Sequence, residues 1–277
     1  MMRIVETHAD RTPNPRAAGT SRVIVAVAVF LLALLPDPAR GAEPFDQNHV
    51  RYARVLAAVV NDARVDYAKL KANPAELDAY LKEIAAVPGV EFSKWSETNR
   101  LALLINLYNA QTLRLIVNHY PLKSIRSIGL LPGAAWREPN VRFGGQIVTL
   151  DQLEHKIIRV EYRDPRIHFA LVCAALGCPP LRSEPYVGAR LGEQLDNQLR
   201  RFLAEPEKNR YDAAKNTLHL SPIFKWYAEE FTESAGSLAL YVKPFLPDAQ
   251  RSALTDPARV RVRFTDYNWA LNVQPKP

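Results

Sequence analysis

The sequence predicts an α+β protein, a mainly helical single domain around a small antiparallel sheet, on three observations. Apolar residues recur at helical spacing in several segments between residues 50 and 231. Alternating or β-rich runs are few and short, as in Val141-Arg142-Phe143 and in residues 259–264 (RVRVRF). Some of these runs are close enough in sequence to pair as hairpins. With 48% hydrophobic and 23% charged residues among 277, the chain can fill a packed core, which argues against disorder and coiled coil.

Residues 23–35 (VIVAVAVFLLALL) form an uncharged apolar run of 13, preceded by Arg16 and Arg22 and followed by Pro36 and Pro38. That length is short for a bilayer. Ala39-Arg40-Gly41 places small residues at the −3 and −1 positions of a cleavage site, and Gly41-Ala42 offers a second, so a signal peptide over 1–42 is expected. The domain would then occupy 43–277 of an exported, periplasmic or secreted protein. An uncleaved membrane anchor is the competing reading, and the long Arg-bearing stretch before the run also fits a start codon further downstream. The formal charge is +7, and residues 1–42 already hold five Arg against Glu6, Asp10 and Asp37. The remaining basic residues are dispersed, so no footprint for nucleic acid is expected.

In chain order, Tyr52, Val55, Leu56, Val59 and Val60 give residues 50–81 a helical spacing, with a second short helix starting at Asn73-Pro74. Residues 101–117 (LALLINLYNAQTLRLIV), after Thr98, are apolar on nearly every side and predict a buried central helix. Gly144-Gly145, between Val141-Arg142-Phe143 and Gln146-Ile147-Val148, predicts a tight hairpin. Thr149 and Gln152 form a capping box for a helix over 150–160. Residues 166–173 (RIHFALVC) read as a buried strand and 188–203 as an amphipathic helix. Residues 216–221 and 259–264 read as strands, with a helix opened by Ser221 over 222–231 between them.

Few residues can carry chemistry. Asn106 and Asn109 share a face of the central helix. Either they bind backbone of a neighbouring loop, as buried amides normally do, or Asn109 orients a catalytic His or donates to an oxyanion. Glu154 falls between Leu150, Ile157 and Ile158 on an apolar face, where a carboxylate needs a partner. An Arg would make it structural, whereas a raised pKa would make it an acid or base. His155 lies on the flank of that helix, one turn from Arg159.

If residues 166–173 are a continuous strand, His168 faces away from Cys173. His155 is then the expected base for a Cys173 nucleophile, with Glu154 or Asn109 orienting it. The competing reading is a Cys173–Cys178 disulfide, Gly177 permitting the bend between them. Cys173, Cys178, His168 and His155 make only a weak metal set, because C-x4-C is not a usual zinc spacing. The chain has no G-x-x-x-x-G-K-[ST], G-x-S-x-G, H-E-x-x-H or dinucleotide glycine fingerprint, so no cofactor is expected.

Five segments, in order, resemble the domain of unknown function 547 family: INLYNAQTLRLI (105–116), TLDQLEHKIIR (149–159), DPRIHFALVCAALGCPPLR (164–182), SPIFKWYAEEF (221–231) and DYNWALN (266–272). The resemblance runs from about His49 to Asn272 and brings no established catalytic residues. It places Asn109, Glu154, His155, Cys173 and Arg182 inside family motifs. A Cys, a His and a carboxylate or amide on such a scaffold suggest papain-like or transglutaminase-like enzymes by analogy, although the chain order Asn, His, Cys departs from theirs.

The expected function is therefore cysteine-dependent acyl transfer on an amide or thioester of a small-molecule or peptide substrate. Cys173, His155, Glu154 and Asn109 would be catalytic, and Arg182, with His168, would bind substrate, Arg182 through an anionic group. The alternative is a non-catalytic envelope binding module with a structural Cys173–Cys178 disulfide. Membrane contact would arise only through an uncleaved N-terminal segment.

Overall fold

The computed structural model describes residues 44–275. The apolar run at 23–35 and the expected cleavage site lie outside the described residues.

The domain is α+β, mainly helical, with three small sheets instead of one. The predicted helical segment from Val50 divides into helices Val50–Val59, Tyr67–Ala72 and Ala75–Ala85. Between the first two runs a hairpin that the periodicity concealed, β1 (Val60–Asn61) and β2 (Arg64–Val65). Its turn residues Asp62 and Ala63 both have positive φ (45° and 62°), the backbone that a two-residue hairpin needs, reached here without glycine. The second hairpin is the predicted one. β3 (Pro139–Phe143) pairs with β4 (Gln146–Thr149) across Gly144 and Gly145, at φ 58° and 78°. The third sheet departs from expectation. β5 (Arg210–Asp212) and β6 (Thr217–Leu220) are antiparallel, but β7 (Arg261–Phe264) joins β6 in parallel, because the chain passes through several helices before returning.

The central helix spans Glu97–His119, capped by the Ser96 side chain, which accepts from the Asn99 N–H. Every residue from Leu101 to Leu113 is buried, as expected of a helix apolar on all sides. It anchors the larger of two apolar clusters. The smaller is built on Phe169, Phe202, Phe224 and Phe231.

Residues 166–173 are not a strand. Pro165–Phe169 is a 3-10 helix, because the Asp164 side chain accepts from the Arg166 N–H and Pro165 occupies the first turn. This helix feeds both clusters, Ile167 the larger and Phe169 the smaller. The helix expected over 222–231 breaks at Tyr227 (φ −117°, ψ 28°) into Ile223–Trp226 and Ala228–Ala235. Among the described residues no helix is long and apolar enough to cross a membrane.

Candidate functional site

Thr149 and Gln152 form the predicted capping box, with Thr149 N–H to Gln152 Oε1 at 2.9 Å and Gln152 N–H to Thr149 Oγ1 at 3.0 Å. The helix they open does not continue as a regular α-helix. Leu150–Gln152 passes into a π segment, Leu153–Ile158, and returns to α at Arg159–Tyr162. The Arg159 N–H bonds the Glu154 carbonyl five residues back. Such wide turns are rare and occur frequently at functional sites. At 100° per residue, Glu154 and His155 would point to different faces. On the widened turn both line one cavity of about 370 Å³, within the range of small-molecule sites.

Glu154 is 9% exposed, and its partner is not the Arg that a structural ion pair would supply. The Tyr227 hydroxyl, placed by the break between two helices, donates to Glu154 Oε1 at 2.9 Å. Burial, and after it the Glu154 charge, pushes the hydroxyls of Tyr108, Tyr227 and Tyr267 above their ordinary range, so all three keep their protons.

Arg159 closes the back of the site. Its Nη1 donates to His155 Nδ1 at 2.7 Å, and its Nε donates to Glu230 Oε1 at 2.9 Å. Arginine has no acceptor, so His155 Nδ1 must accept. The neutral His155 ring therefore carries its proton on Nε2, 3.7 Å from Asp151 Oδ1. In this arrangement the His155 lone pair is engaged by Arg159, which competes with the role of base expected of it.

His168 is positioned differently from the sequence reading. Since its segment is a 3-10 helix, alternation no longer separates it from Cys173, and both line the cavity. The His168 ring stacks on Tyr227, with centroids 3.6 Å apart and planes at 16°. Its Nε2 lies 2.8 Å from Glu230 Oε2. Burial pushes the Glu230 carboxyl up, but the hydrogen bonds from His168 and Arg159 outweigh it and hold the group down at about 2. An ionised Glu230 accepts from Nε2, so in the neutral ring the free lone pair of His168 is on Nδ1.

Cys173 and Cys178 are joined in a disulfide, and both line the cavity. The loop between them is clamped by the C-terminal segment. Leu176 N–H donates to Ala270 O and Gly177 N–H to Asn268 O, each at 2.8 Å, and Asn272 N–H donates to Ala174 O at 3.0 Å. The bend expected at Gly177 is instead at Ala174 (φ 60°). Glycine is needed at 177 for space, since a Cβ there would stand 2.9 Å from Asn268 N and 3.0 Å from the Tyr267 ring.

Asn109 and Arg182 are not among the residues lining the cavity. Asn109 Nδ2 donates to Ala170 O and its Oδ1 accepts from Val172 N–H, both at 2.9 Å. Asn106 holds both backbone groups of Tyr186 in the same manner, at 2.7 and 2.9 Å. With both ends of its amide used, Asn109 positions the chain leading to Cys173 and does not orient His155. Arg182 is buried, pairs with Glu184 and donates to Asn197 Oδ1 at 2.7 Å, a structural engagement in place of the expected anion contact.

Sequence reasoning missed Tyr108, Tyr227, Glu230 and Tyr267. Tyr227 and Glu230 lie in SPIFKWYAEEF and Tyr267 in DYNWALN, so the motifs held them, but no local pattern shows which residues across the chain they meet. Three tryptophans also line the cavity, together with Asp151, Arg137 and the apolar Leu171, Pro179 and Ile223. Trp226, 49% exposed, stands 4.9 Å from Tyr267 and 6.2 Å from Trp269 by ring centroids, and Trp136 meets Trp269 at 6.3 Å.

An α+β domain with a cavity walled by aromatic rings, a disulfide and a carboxylate–tyrosine–histidine network is the class that fold and site define. Residues 92–203 match the family described as "Protein of unknown function, DUF547", the family that the motifs resemble. The match contains the motifs at 105–116, 149–159 and 164–182. The motifs at 221–231 and 266–272 lie beyond it, yet they supply Tyr227 and Tyr267 to the same cavity, and Glu230 to the His168 that lines it. No curated protein and no solved structure matches the chain.

Proposed function

We propose that this is an exported protein whose aromatic cavity binds a compact, neutral or cationic organic molecule, with the Cys173–Cys178 disulfide as part of the wall. The observation that carries the reading is the state of the would-be catalytic groups. The sulfurs are bonded to each other and the His155 lone pair is bonded to Arg159, so no armed nucleophile faces the cavity. Trp136, Trp226 and Trp269 offer flat faces for stacking, Tyr108 and Tyr227 offer hydroxyls, and two carboxylates, Glu154 and Asp151, line the site against one guanidinium, Arg137, which favours a neutral or cationic ligand over an anion. Export rests on the apolar run and small residues of the N-terminal segment. A mature N-terminus near residue 43 by mass is the expected result, and protein with an intact residue 1 recovered only from the cytoplasm would count against export.

A panel of sugars, aromatic amines and small carboxylates titrated calorimetrically tests the cavity. Binding from the first two classes, weakened at least tenfold in Trp269→Ala, is expected. Binding by carboxylates alone, or indifference to Trp269→Ala, would contradict the reading.

Cysteine-dependent acyl transfer is the second reading, favoured by the shared cavity of Cys173, Glu154 and His168 and by the Glu230–His168 pair, which leaves Nδ1 free to accept a proton. It requires reduction of the disulfide and replaces His155 with His168 as base. Ester or thioester hydrolysis that appears only with reductant and vanishes in both Cys173→Ser and His168→Gln would establish it. A reduced, folded protein inactive across such substrates would remove it.

A further inference from the structure

The two sulfurs of the disulfide are not equivalent, and the difference is built by residues outside the pair. Cys178 is 3% exposed, whereas Cys173 is half-buried at the cavity wall. The Cys173 N–H donates to Cys178 Sγ at 3.0 Å, and the Tyr267 hydroxyl also donates to that sulfur at 3.1 Å. The same hydroxyl lies 3.2 Å from Cys173 Sγ, so its one proton can serve either sulfur. Developing negative charge on Cys178 would meet two donors already in place, whereas Cys173 has the open approach. Burial of Tyr267 keeps its hydroxyl protonated.

We propose that the Cys173–Cys178 bond is an exchangeable disulfide that accepts a thiol entering the cavity, with Cys173 as the sulfur attacked and Cys178 as the leaving group. In the first step the incoming thiolate bonds to Cys173 Sγ, the S–S bond breaks, and its electron pair passes to Cys178 Sγ, where Tyr267 and the Cys173 N–H stabilise the thiolate. A second thiolate then attacks the substrate sulfur of the mixed disulfide and releases the oxidised thiol as its own disulfide. Two thiols are oxidised, and the pair is reduced by two electrons and two protons to the dithiol. The substrate class is a small thiol that fits about 370 Å³. This activity goes beyond ligand binding and does not depend on it, and it would produce the free Cys173 thiol that acyl transfer requires.

The test mixes folded, oxidised protein with excess 2-mercaptoethanol, quenches with N-ethylmaleimide, and maps both adducts by peptide mass. The mercaptoethanol adduct should sit on Cys173 and the maleimide on Cys178. Tyr267→Phe, with folding verified by a cooperative melt, should slow the exchange about threefold to tenfold, because the leaving thiol's pKa rises when one donor is lost. A mercaptoethanol adduct on Cys178, reaction only in denaturant, or an unchanged rate in a folded Tyr267→Phe protein would overturn the proposal. The wild-type mapping decides even if the variant does not fold. Ligand titration with the disulfide intact is a separate measurement, so failure of exchange leaves the binding reading standing.

Discussion

The buried amides of the central helix and the polar side chains of the cavity wall, of which Glu154 and His168 are also buried, have opposite fates. Asn106 and Asn109 spend both ends of their side chains on the backbone of one loop each, at 2.7 to 2.9 Å. Glu154, His155 and His168 are also held, by Tyr227, Arg159 and Glu230, but each keeps an atom toward the cavity. Burial alone does not separate these sets. What separates them is whether the hydrogen-bonding capacity is exhausted within the fold. A closed amide maintains structure, whereas a partly engaged carboxylate or imidazole keeps capacity for a ligand.

The comparison can be broken most forcefully at Asn109. Asn109→Leu leaves the Ala170 carbonyl and the Val172 N–H unpaired in the interior, each a loss of about 1–3 kcal/mol. Urea unfolding should show a loss of about 2–6 kcal/mol, summing the two penalties. A loss below about 0.5 kcal/mol would mean that the amide is not the clamp described, since surface changes have effects of that size. Gly177→Ala should cost about 1–3 kcal/mol, the usual range for overpacking, because its Cβ would meet Asn268 N at 2.9 Å. A melting temperature equal to wild type would show that the C-terminal clamp yields easily.

On the cavity side, smaller stability effects and larger ligand effects are expected. Tyr227→Phe removes the donor to Glu154, and a hydrogen bond to a charged group is typically worth about 1.5–3 kcal/mol. Because Glu154 keeps access to the cavity, a stability loss near the lower end, about 1.5 kcal/mol, is expected together with weakened ligand binding. A stability loss with binding unchanged would move Glu154 to the structural set.

The last effect is confined to acid pH. Glu230 is held at about 2 against an ordinary 4.5, so its contribution to stability is complete above 4.5 and is lost as pH falls through about 2. Glu230→Gln should therefore flatten the stability profile across that window while leaving the rest of the curve parallel. An unaltered slope between pH 4.5 and 2 would show that other carboxylates set the acid limit.

Much of the fold was legible from local signals. The capping box at Thr149 and Gln152, the Gly144-Gly145 hairpin and the burial of the central helix are each specified by neighbours in sequence. Failures came where distant partners or strained turns decide. Asp62 and Ala63 turn a hairpin without glycine, and Asp164-Pro165 turns an apolar run that reads as a strand into a 3-10 helix. For the buried amides the sequence left a backbone clamp and a catalytic role for Asn109 both open, and only the backbone partners across the chain show the clamp. The expectation of His155 as base did not weigh Arg159, one turn away, which donates to its Nδ1. Glu230 and Tyr267 were invisible as site residues because they reach His168 and the disulfide across 62 or more residues of chain.

The tryptophans provide the most direct measurement of the central claim, that this cavity is the functional site. Trp136, Trp226 and Trp269 line it, whereas Trp95 packs elsewhere against Phe45 and Phe92. With the four indole N–H resonances assigned by single Trp→Phe variants, titration with a compound from the neutral or cationic panel should shift the three cavity signals together and leave Trp95 in place. Movement of Trp95 alone, or binding that leaves all three cavity indoles unmoved, would contradict the account.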